Sequence, residues 1–273
     1  MLKLHTMFDS SKILDVTRKA VDEASVYIRS EVGKVNDQDI EEKELNSLVS
    51  YVDKTAEEML VKSLGSILPG AGFITEEETE DIVDREFTWI IDPLDGTTNY
   101  LHQIPHFGVS VALKYQDSVI MGLVHDVMGD EQFYAVKGQG AFMNGQRINV
   151  SVKRGLDQVL VATGFPYNND YNVDASFNVL RSFLMHSRGM RRMGSAALDL
   201  SYVAIGRIGV YYEGSLNAWD IAAGALIVQE AGGKISDLSG GNAYLEKGEV
   251  VASPPQFYND VMKILQQQGS VNR

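Results

Sequence analysis

The sequence predicts a layered α/β fold, in which helices pack against the faces of β-sheets. The order of the apolar patterns is the first observation: helical periodicity comes first, short strands follow, and helices and strands then alternate. Length is the second, because 273 residues of which 44% are hydrophobic can bury a large core without disulfides. The third is that no Gly/Ser-rich linker and no internal repeat divides the chain. We therefore expect stacked layers rather than a barrel.

Two helices are predicted in the N-terminal part. The first is indicated by apolar residues that recur at helical spacing, namely Ile13, Val16, Ala20, Val21, Ala24 and Ile28. A polar stretch over 33–46 ends this pattern. The second helix is expected over 52–68, where Pro69-Gly70 ends it.

Strands are predicted next, followed by alternating elements. Phe73-Ile74-Thr75 and the apolar run 87–91 each indicate a buried strand that opens into a loop, and 107–150 indicates several short strands joined by glycine turns. The remaining patterns predict strands over 159–162 and 208–212 and helices over 173–185, 195–205, 221–230 and 256–268.

Charge and composition exclude several function classes. The chain has 24 Lys and Arg against 37 Asp and Glu, a formal net charge of −13, which disfavours nucleic acid and anionic lipid as partners. With no Cys, thiolate zinc sites, iron–sulfur clusters and cysteine nucleophiles are excluded. No run of about 18 apolar residues indicates a membrane span, and the charged residues over 1–15 are unlike a signal peptide. We expect a cytoplasmic protein.

The segment 89–99 is the most informative for chemistry. Asp92 and Asp95 directly follow an apolar strand, and Pro93 and one other residue separate them, so both carboxylates can converge on one cation. Gly96 allows close approach of a ligand, and the N–H groups over 96–98 could form an anion-binding nest. Asp-Pro and Asp-Gly alone are ordinary turn formers. A bare turn, however, needs neither two carboxylates nor a nest after a buried strand.

Two further acidic segments support a metal site. Asp220 precedes a run of helix-forming residues, so it can serve as a helix N-cap, a metal ligand or both. Glu76-Glu77-Glu78 follows a short strand and is either a solvated charge run or the source of one ligand. None of the three segments contains a basic residue, and gathered carboxylates repel one another unless divalent cations lie between them. Oxygen ligands without Cys or His indicate Mg²⁺ or Mn²⁺ rather than Zn²⁺.

The motifs together resemble the inositol monophosphatase family. The resemblance rests on Asp92-Pro93-Leu94-Asp95-Gly96-Thr97-Thr98-Asn99, on Trp219-Asp220 and on Glu230-Ala231-Gly232-Gly233, and it extends through 43–53 and Gly194-Ser195-Ala196. It implies one domain over 1–273 with a five-layer α-β-α-β-α sandwich. Within that domain we expect an N-terminal α+β half over about 1–150 and a C-terminal α/β half over about 151–273.

The same resemblance implies roles for individual residues. The positions that match metal ligands, for two or three Mg²⁺ ions, are Glu76, Asp92, the backbone carbonyl of Leu94, Asp95 and Asp220. Thr97 and Asp53 match the pair that orients the attacking water, although Asp53 can also be read as a first-turn helix acid. The positions expected to contact phosphate or substrate are Gly96, Thr97, Gly194, Ser195, Ala196 and Glu213. Which of Glu76, Glu77 and Glu78 faces the metal stays open.

The implied activity is magnesium-dependent, lithium-sensitive hydrolysis of a small phosphorylated polyol or sugar by a homodimer. An inositol monophosphate is the favoured substrate because Thr98-Asn99 resembles the inositol branch. The alternatives within the superfamily are fructose 1,6-bisphosphate, 3′-phosphoadenosine 5′-phosphate, histidinol phosphate and NADP. A mainly regulatory or binding protein is the alternative from another class, and phosphate release with and without Mg²⁺ distinguishes it from an enzyme.

Overall fold

The computed structural model describes residues 10–44, 47–77, 85–153, 155–165 and 173–267. The helices in these ranges are α1 (Ser10–Glu31), α2 (Tyr51–Ile67), α3 (Thr97–Leu101), α4 (Val173–His186), α5 (Ala196–Ala204), α6 (Ala218–Glu230), α7 (Tyr244–Lys247) and α8 (Pro255–Gln267). None of them is long and apolar enough to cross a membrane.

Strands of the described residues form two sheets and a hairpin. The hairpin pairs β1 (Ile40–Glu44) with β2 (Ser47–Ser50). The seven-stranded sheet follows chain order and contains β3 (Gly72–Thr75), β4 (Phe87–Asp95), β5 (Gly108–Tyr115), β6 (Ser118–Asp126), β7 (Glu131–Val136), β8 (Gly140–Met143) and β9 (Gln146–Ile148). The five-stranded sheet has the order β11-β10-β12-β14-β13 and contains β10 (Leu160–Thr163), β11 (Gly189–Arg191), β12 (Val210–Glu213), β13 (Lys234–Ser236) and β14 (Val250–Ser253).

Three hydrophobic cores hold the layers together. Helices α1 and α2 cover the outer face of the seven-stranded sheet, where Leu60 and Trp89 are fully buried. Helices α5 and α6 lie between the two sheets, and Tyr211 and Ile227 belong to the core they form. Helices α4 and α8 cover the outer face of the five-stranded sheet around Phe183. The predicted α-β-α-β-α order of layers is confirmed.

The first turn of α6 is positioned by the close packing of this helix on β6. A Cβ atom built on Gly122 would lie 2.7 Å from the carbonyl oxygen of Ala223, so only glycine lets the helix approach the strand this closely. Gly224, on the same helix, packs against Leu200 of α5 in a similar way. Because α6 is fixed between its neighbours, Asp220 in its first turn is fixed as well.

Strand β4 is longer than the sequence predicted, and it includes residues that were expected to form a turn. It continues through Pro93 to Asp95, with a register shift against β5 between Asp92 and Asp95. Proline lacks an N–H donor and is tolerated in a strand where the ladder is interrupted, as it is at a bulge. The two carboxylates are therefore presented by a bulge at a strand end, and the turn begins only at Gly96.

Candidate active site

A pocket of about 220 Å³ lies where the ends of β4 and β12 meet the first turns of α3, α5 and α6. The sequence-predicted site residues that line it are Glu76, Asp95, Gly96, Thr97, Gly194, Ser195, Ala196, Glu213 and Asp220. The other three, Asp53, Asp92 and Leu94, are almost fully buried behind its wall. Elements that are far apart in the chain thus bring all the predicted segments to one place.

Asp92 and Asp95 are held by different partners. Oδ1 of Asp92 accepts a hydrogen bond from the Leu94 amide at 3.0 Å across the bulge. Oδ2 of Asp95 accepts from the Ser195 hydroxyl at 2.6 Å and from the Ala197 amide at 2.7 Å. The Ser195 oxygen also caps α5 by accepting from the Leu198 amide. Asp95 therefore ties the β4 bulge to the N-terminus of α5.

Thr97 and Asp53 form the side-chain pair that the resemblance implies. The Thr97 hydroxyl lies 3.1 Å from Oδ1 of Asp53 and 3.0 Å from the carbonyl oxygen of Leu94. Oδ2 of Asp53 accepts from the amide and the hydroxyl of Ser50, which closes a capping box at the start of α2. Both interpretations of Asp53 are thus compatible, because each carboxylate oxygen serves a different partner.

Of Glu76 and Glu77, the two glutamates of the triplet that the structure describes, Glu76 lines the pocket. Its side chain lines the cavity and hydrogen-bonds with Asp92. Glu77 does not line the pocket, and its amide donates at 2.8 Å to Oε2 of Glu57, a fully buried residue of α2. Glu78 lies outside the described residues. This geometry favours Glu76 over Glu77 as a candidate metal ligand.

Asp220 is not the N-cap of α6. Asn217 precedes the helix, and Oδ2 of Asp220, in the first turn, accepts a hydrogen bond from the Asn217 amide at 2.7 Å. The apolar run starting at Ile221 suggested a later helix start, but the helix begins at Ala218. Asp220 therefore stabilises the helix start with one oxygen while its side chain lines the pocket.

Glu76, Asp92, Asp95 and Asp220 form a group that we call the acidic cluster. Burial, followed by the charges of Glu76, Asp95 and Asp220, raises the pKa of Asp92 well above its usual range. Burial raises the pKa of Asp95 to about 6, and burial together with the charge of Asp95 raises the pKa of Asp220 to about 8. Negative charge is therefore costly at these positions unless a cation compensates it.

The donor set of the acidic cluster suits a hard divalent cation. Its carboxylates and the Leu94 carbonyl, which accepts a hydrogen bond from the Thr97 hydroxyl, are oxygen ligands of the kind that Mg²⁺ prefers. In the part of the chain that the structure describes, no three His, Asp or Glu side chains are grouped around a common point as a coordination sphere would be. Asp92 is instead hydrogen-bonded to Glu76 and Asp220. The residues therefore fit Mg²⁺ by the chemistry of their oxygen donors.

Glu213 and Arg192 also line the pocket. Burial raises the pKa of Glu213 to about 7, although a hydrogen bond from Tyr211 and the charge of Arg192 act in the other direction. Arg192 is not among the site residues predicted from the sequence. Its position two residues before Gly194-Ser195-Ala196 was the available signal that it belongs to the pocket.

Asn99 is a second residue whose role the sequence did not reveal. Its side-chain amide donates to the carbonyl oxygens of His106 at 2.8 Å and Met193 at 2.7 Å. These bonds join the segment after Gly96 to the segment that leads into Gly194. Gly96 itself has φ 95°, in the left-handed region that glycine adopts without strain. The two pocket-lining loops are thus fixed to each other.

The chain is similar to known proteins over most of its length. The sequence model of the inositol monophosphatase family matches residues 9–270. The Pseudomonas aeruginosa protein named Nus factor SuhB is 38% identical over 259 residues, which cover 93% of this chain and 96% of that protein. The Mesorhizobium japonicum protein named inositol-1-monophosphatase is also 38% identical, over 254 residues that cover 93% of this chain and 96% of that protein.

A solved structure shows the same architecture. The extragenic suppressor protein suhB from Bartonella henselae superposes with a TM-score of 0.90 at 36% identity, and the match covers 94% of this chain and 99% of that one. Because the family's sequence model spans nearly the whole chain and both sequence and fold match over most of its length, the chain belongs to the inositol monophosphatase family.

Proposed function

We propose that this protein hydrolyses a small phosphomonoester in the presence of Mg²⁺ and that an inositol monophosphate is its preferred substrate. One observation carries the proposal: the acidic cluster and the Thr97–Asp53 pair, which come from separate elements, meet at one pocket. A solvated charge run or a set of helix caps would not bring these groups together. Family membership supports the same reaction class.

Mg²⁺ would be held by Glu76, Asp92, Asp95, Asp220 and the carbonyl oxygen of Leu94. When bound, Mg²⁺ supplies Lewis-acid activation of water and neutralises charge on the phosphate and the leaving oxygen. The protein supplies the negative charge that retains the ion, and it keeps these side chains on rigid elements. Asp95, for example, is fixed by two donors at the start of α5.

Thr97 is proposed to orient the attacking water. When its hydroxyl donates to Oδ1 of Asp53, the lone pairs of Oγ1 are left to accept a hydrogen bond from that water. Asp53 is itself held by Ser50 at the start of α2, so the acceptor for this hydroxyl is in place before substrate binds. Preset orientation of this kind reduces the entropic part of the barrier.

Phosphate and alcohol are proposed to contact different walls. The backbone N–H groups of Gly96 and Thr97 would donate to phosphate oxygens, as the left-handed turn at Gly96 suggests. Gly194, Ser195 and Ala196 line the same part of the pocket, and the Glu213 carboxylate would accept hydrogen bonds from substrate hydroxyls. A polyol phosphate satisfies both walls.

A panel of phosphomonoesters tests the proposal. Phosphate release is measured for inositol 1-phosphate, fructose 1,6-bisphosphate, 3′-phosphoadenosine 5′-phosphate, histidinol phosphate and NADP, each with Mg²⁺ and with excess chelator. We expect Mg²⁺-dependent release that is fastest with inositol 1-phosphate. Another ester as the best substrate would replace the inositol assignment, and no release from any ester would contradict the phosphatase assignment. The same proposal predicts that lithium inhibits the activity and that light scattering finds a homodimer.

A regulatory role is the second candidate, favoured by the name Nus factor SuhB that several relatives carry. It requires binding to a partner rather than hydrolysis. Complementation with Thr97→Ala separates the two functions in a strain that lacks the gene, because this change removes the proposed water-orienting hydroxyl and leaves the surface intact. Full rescue by the variant would indicate that the physiological role does not need hydrolysis.

A further inference from the structure

The carboxylate of Glu213 accepts a hydrogen bond from a buried tyrosine. The Tyr211 hydroxyl donates a 2.6 Å hydrogen bond to Oε2 of Glu213. Tyr211 is fully buried in β12, where its backbone pairs with Ala162 on one side and Ala252 on the other. A residue fixed in this way cannot follow Glu213 if the carboxylate moves, so the hydrogen bond defines one position for it.

The second constraint on Glu213 is that residue 164 is a glycine, whose missing side chain leaves room for the carboxylate. Gly164 directly follows β10, and a Cβ atom built on it would overlap Cδ and both oxygens of the Glu213 carboxylate. The backbone at Gly164 does not occupy the left-handed region that favours glycine. Glycine is therefore required here for space and not for conformation, and the space is filled by the Glu213 carboxylate.

We infer that Tyr211 and Gly164 are specificity-determining residues, which position Glu213 to select the alcohol part of the substrate. This inference rests on the proposed function, in which Glu213 accepts hydrogen bonds from substrate hydroxyls. A carboxylate fixed in one place discriminates strongly, because an alcohol whose hydroxyls do not match leaves it unpaired. A mobile carboxylate would adapt to many alcohols and discriminate less.

Two conservative variants test the inference. Tyr211→Phe removes the hydroxyl and keeps the ring, and Gly164→Ala fills the space without backbone strain and displaces only the end of a flexible side chain. For each variant, kcat and KM are measured with inositol 1-phosphate and with 4-nitrophenyl phosphate, whose alcohol carries no further hydroxyl. We expect the ratio of the two kcat/KM values to fall by roughly 10-fold or more, the size of a lost hydrogen bond to a charged group, mainly through KM for inositol 1-phosphate.

Tyr212→Phe is the matched control, because Tyr212 is the next residue of β12 and its ring packs on the opposite face against Phe183. We expect it to leave the ratio within about 2-fold of wild type, since its ring packs against Phe183 and is not the donor to the Glu213 carboxylate. In a Glu213→Ala background, Tyr211→Phe and Gly164→Ala should produce no further change in the ratio, because both act through that carboxylate.

The outcomes separate the inference from the proposed function. If the wild type cleaves both esters but Tyr211→Phe and Gly164→Ala lower both kcat/KM values equally, the two residues are merely structural and the inference is wrong. The same conclusion follows if they still change the ratio after Glu213 is removed. If the wild type cleaves neither ester with Mg²⁺, the proposed function fails, and the inference fails with it.

Discussion

At the scale of single residues, the site depends on side chains that perform two tasks with two oxygen atoms. Asp53 accepts from Ser50 with one oxygen and from Thr97 with the other, and Asp220 binds the Asn217 amide while lining the pocket. Each residue therefore stabilises the start of a helix and also contributes to the candidate active site. Substitutions that keep shape but change charge or hydroxyl can separate these tasks.

Thr97→Ala should lower kcat by roughly 100-fold while changing KM little, because the hydroxyl is proposed to hold the attacking water and not the substrate. Thr97→Ser keeps the hydroxyl within reach of Asp53 and should retain most of the rate. Steady-state kinetics with inositol 1-phosphate measure both values. A variant that raised KM and left kcat intact would contradict the water-orienting role.

Asp220→Asn should abolish most activity without unfolding the protein. An amide oxygen can still accept from the Asn217 amide, so the start of α6 is preserved, while the acidic cluster loses a charge and Mg²⁺ binds more weakly. Thermal melts with and without Mg²⁺ should show a smaller Mg²⁺-induced rise in Tm than the wild type shows. An unchanged rise together with full activity would limit Asp220 to its role in the helix start.

Most of the site residues could be predicted from the sequence because they lie in short motifs. Asp92, Asp95, Gly96 and Thr97 are nearly contiguous, and the β4 bulge brings them together locally. Tyr211 and Arg192 lie outside these motifs, and the structure shows the contact of Tyr211 with Glu213 and the place of Arg192 in the pocket. The register of the glutamate triplet also required the structure, because the contact of the Glu77 amide with Glu57 joins segments that are twenty residues apart in the chain.

At the scale of elements, long and strongly periodic segments were predicted well. Helices α1, α2, α4, α5, α6 and α8 were all expected within a few residues of their observed bounds. The strands that were missed, β1, β2, β11, β13 and β14, have three to five residues each, too few for an alternating pattern to stand out. The start of α6 was placed too late because Ala218-Trp219-Asp220 carries no apolar periodicity of its own.

The contact between β6 and α6 should be sensitive to a single methyl group. Gly122→Ala places a Cβ against backbone atoms of Ala223 and should lower the free energy of unfolding by about 1–3 kcal/mol. Gly65→Ala is the matched control, because Gly65 lies in α2 and a Cβ there meets only the ring of Phe73 at 3.7 Å. That change should stabilise by roughly 0.5–1 kcal/mol. Denaturant unfolding measures both, and equal effects would contradict the close packing.

The loop between β13 and α7 is held by Asp237, which is 1% exposed. Burial alone would raise the pKa of Asp237, but hydrogen bonds from Lys247 at 2.7 Å, from the Ser239 hydroxyl at 2.6 Å and from the Gly241 amide outweigh it and hold the pKa well below its usual range. A carboxyl with a lowered pKa stabilises the fold fully above its unfolded pKa of about 3.9, and this contribution is lost as pH falls toward the folded pKa.

Asp237→Asn should therefore lower the free energy of unfolding by about 1–3 kcal/mol at neutral pH. The difference from wild type should shrink by about 1 kcal/mol for each pH unit below about 4. Asp260→Asn is the control, since Asp260 forms an exposed pair with Lys263 and should change stability by less than about 0.5 kcal/mol. Urea unfolding at several pH values measures both, and a pH-independent effect of Asp237→Asn would mean that its ionisation does not matter.

At the scale of the whole molecule, the layers explain why distant segments meet. The ends of β4 and β12 and the first turns of α5 and α6 meet at one pocket. Residues about a hundred positions apart in the chain, such as Asp95 and Ala197, therefore become neighbours. The five-layer order itself came from the family resemblance rather than from periodicity, which indicated only stacked layers. The division into halves near residue 150 stays a prediction, although the two sheets occupy successive parts of the chain.

Phosphate release from inositol 1-phosphate as a function of Mg²⁺ concentration is the most direct test of the acidic cluster's role. The wild type should be inactive in excess chelator and gain activity saturably as Mg²⁺ is added. Asp95→Asn should remain inactive over the same range while it melts as a folded protein in the absence of Mg²⁺. Full activity of the wild type in excess chelator, or normal Mg²⁺ dependence of Asp95→Asn, would contradict the assignment of the cluster as a catalytic magnesium site.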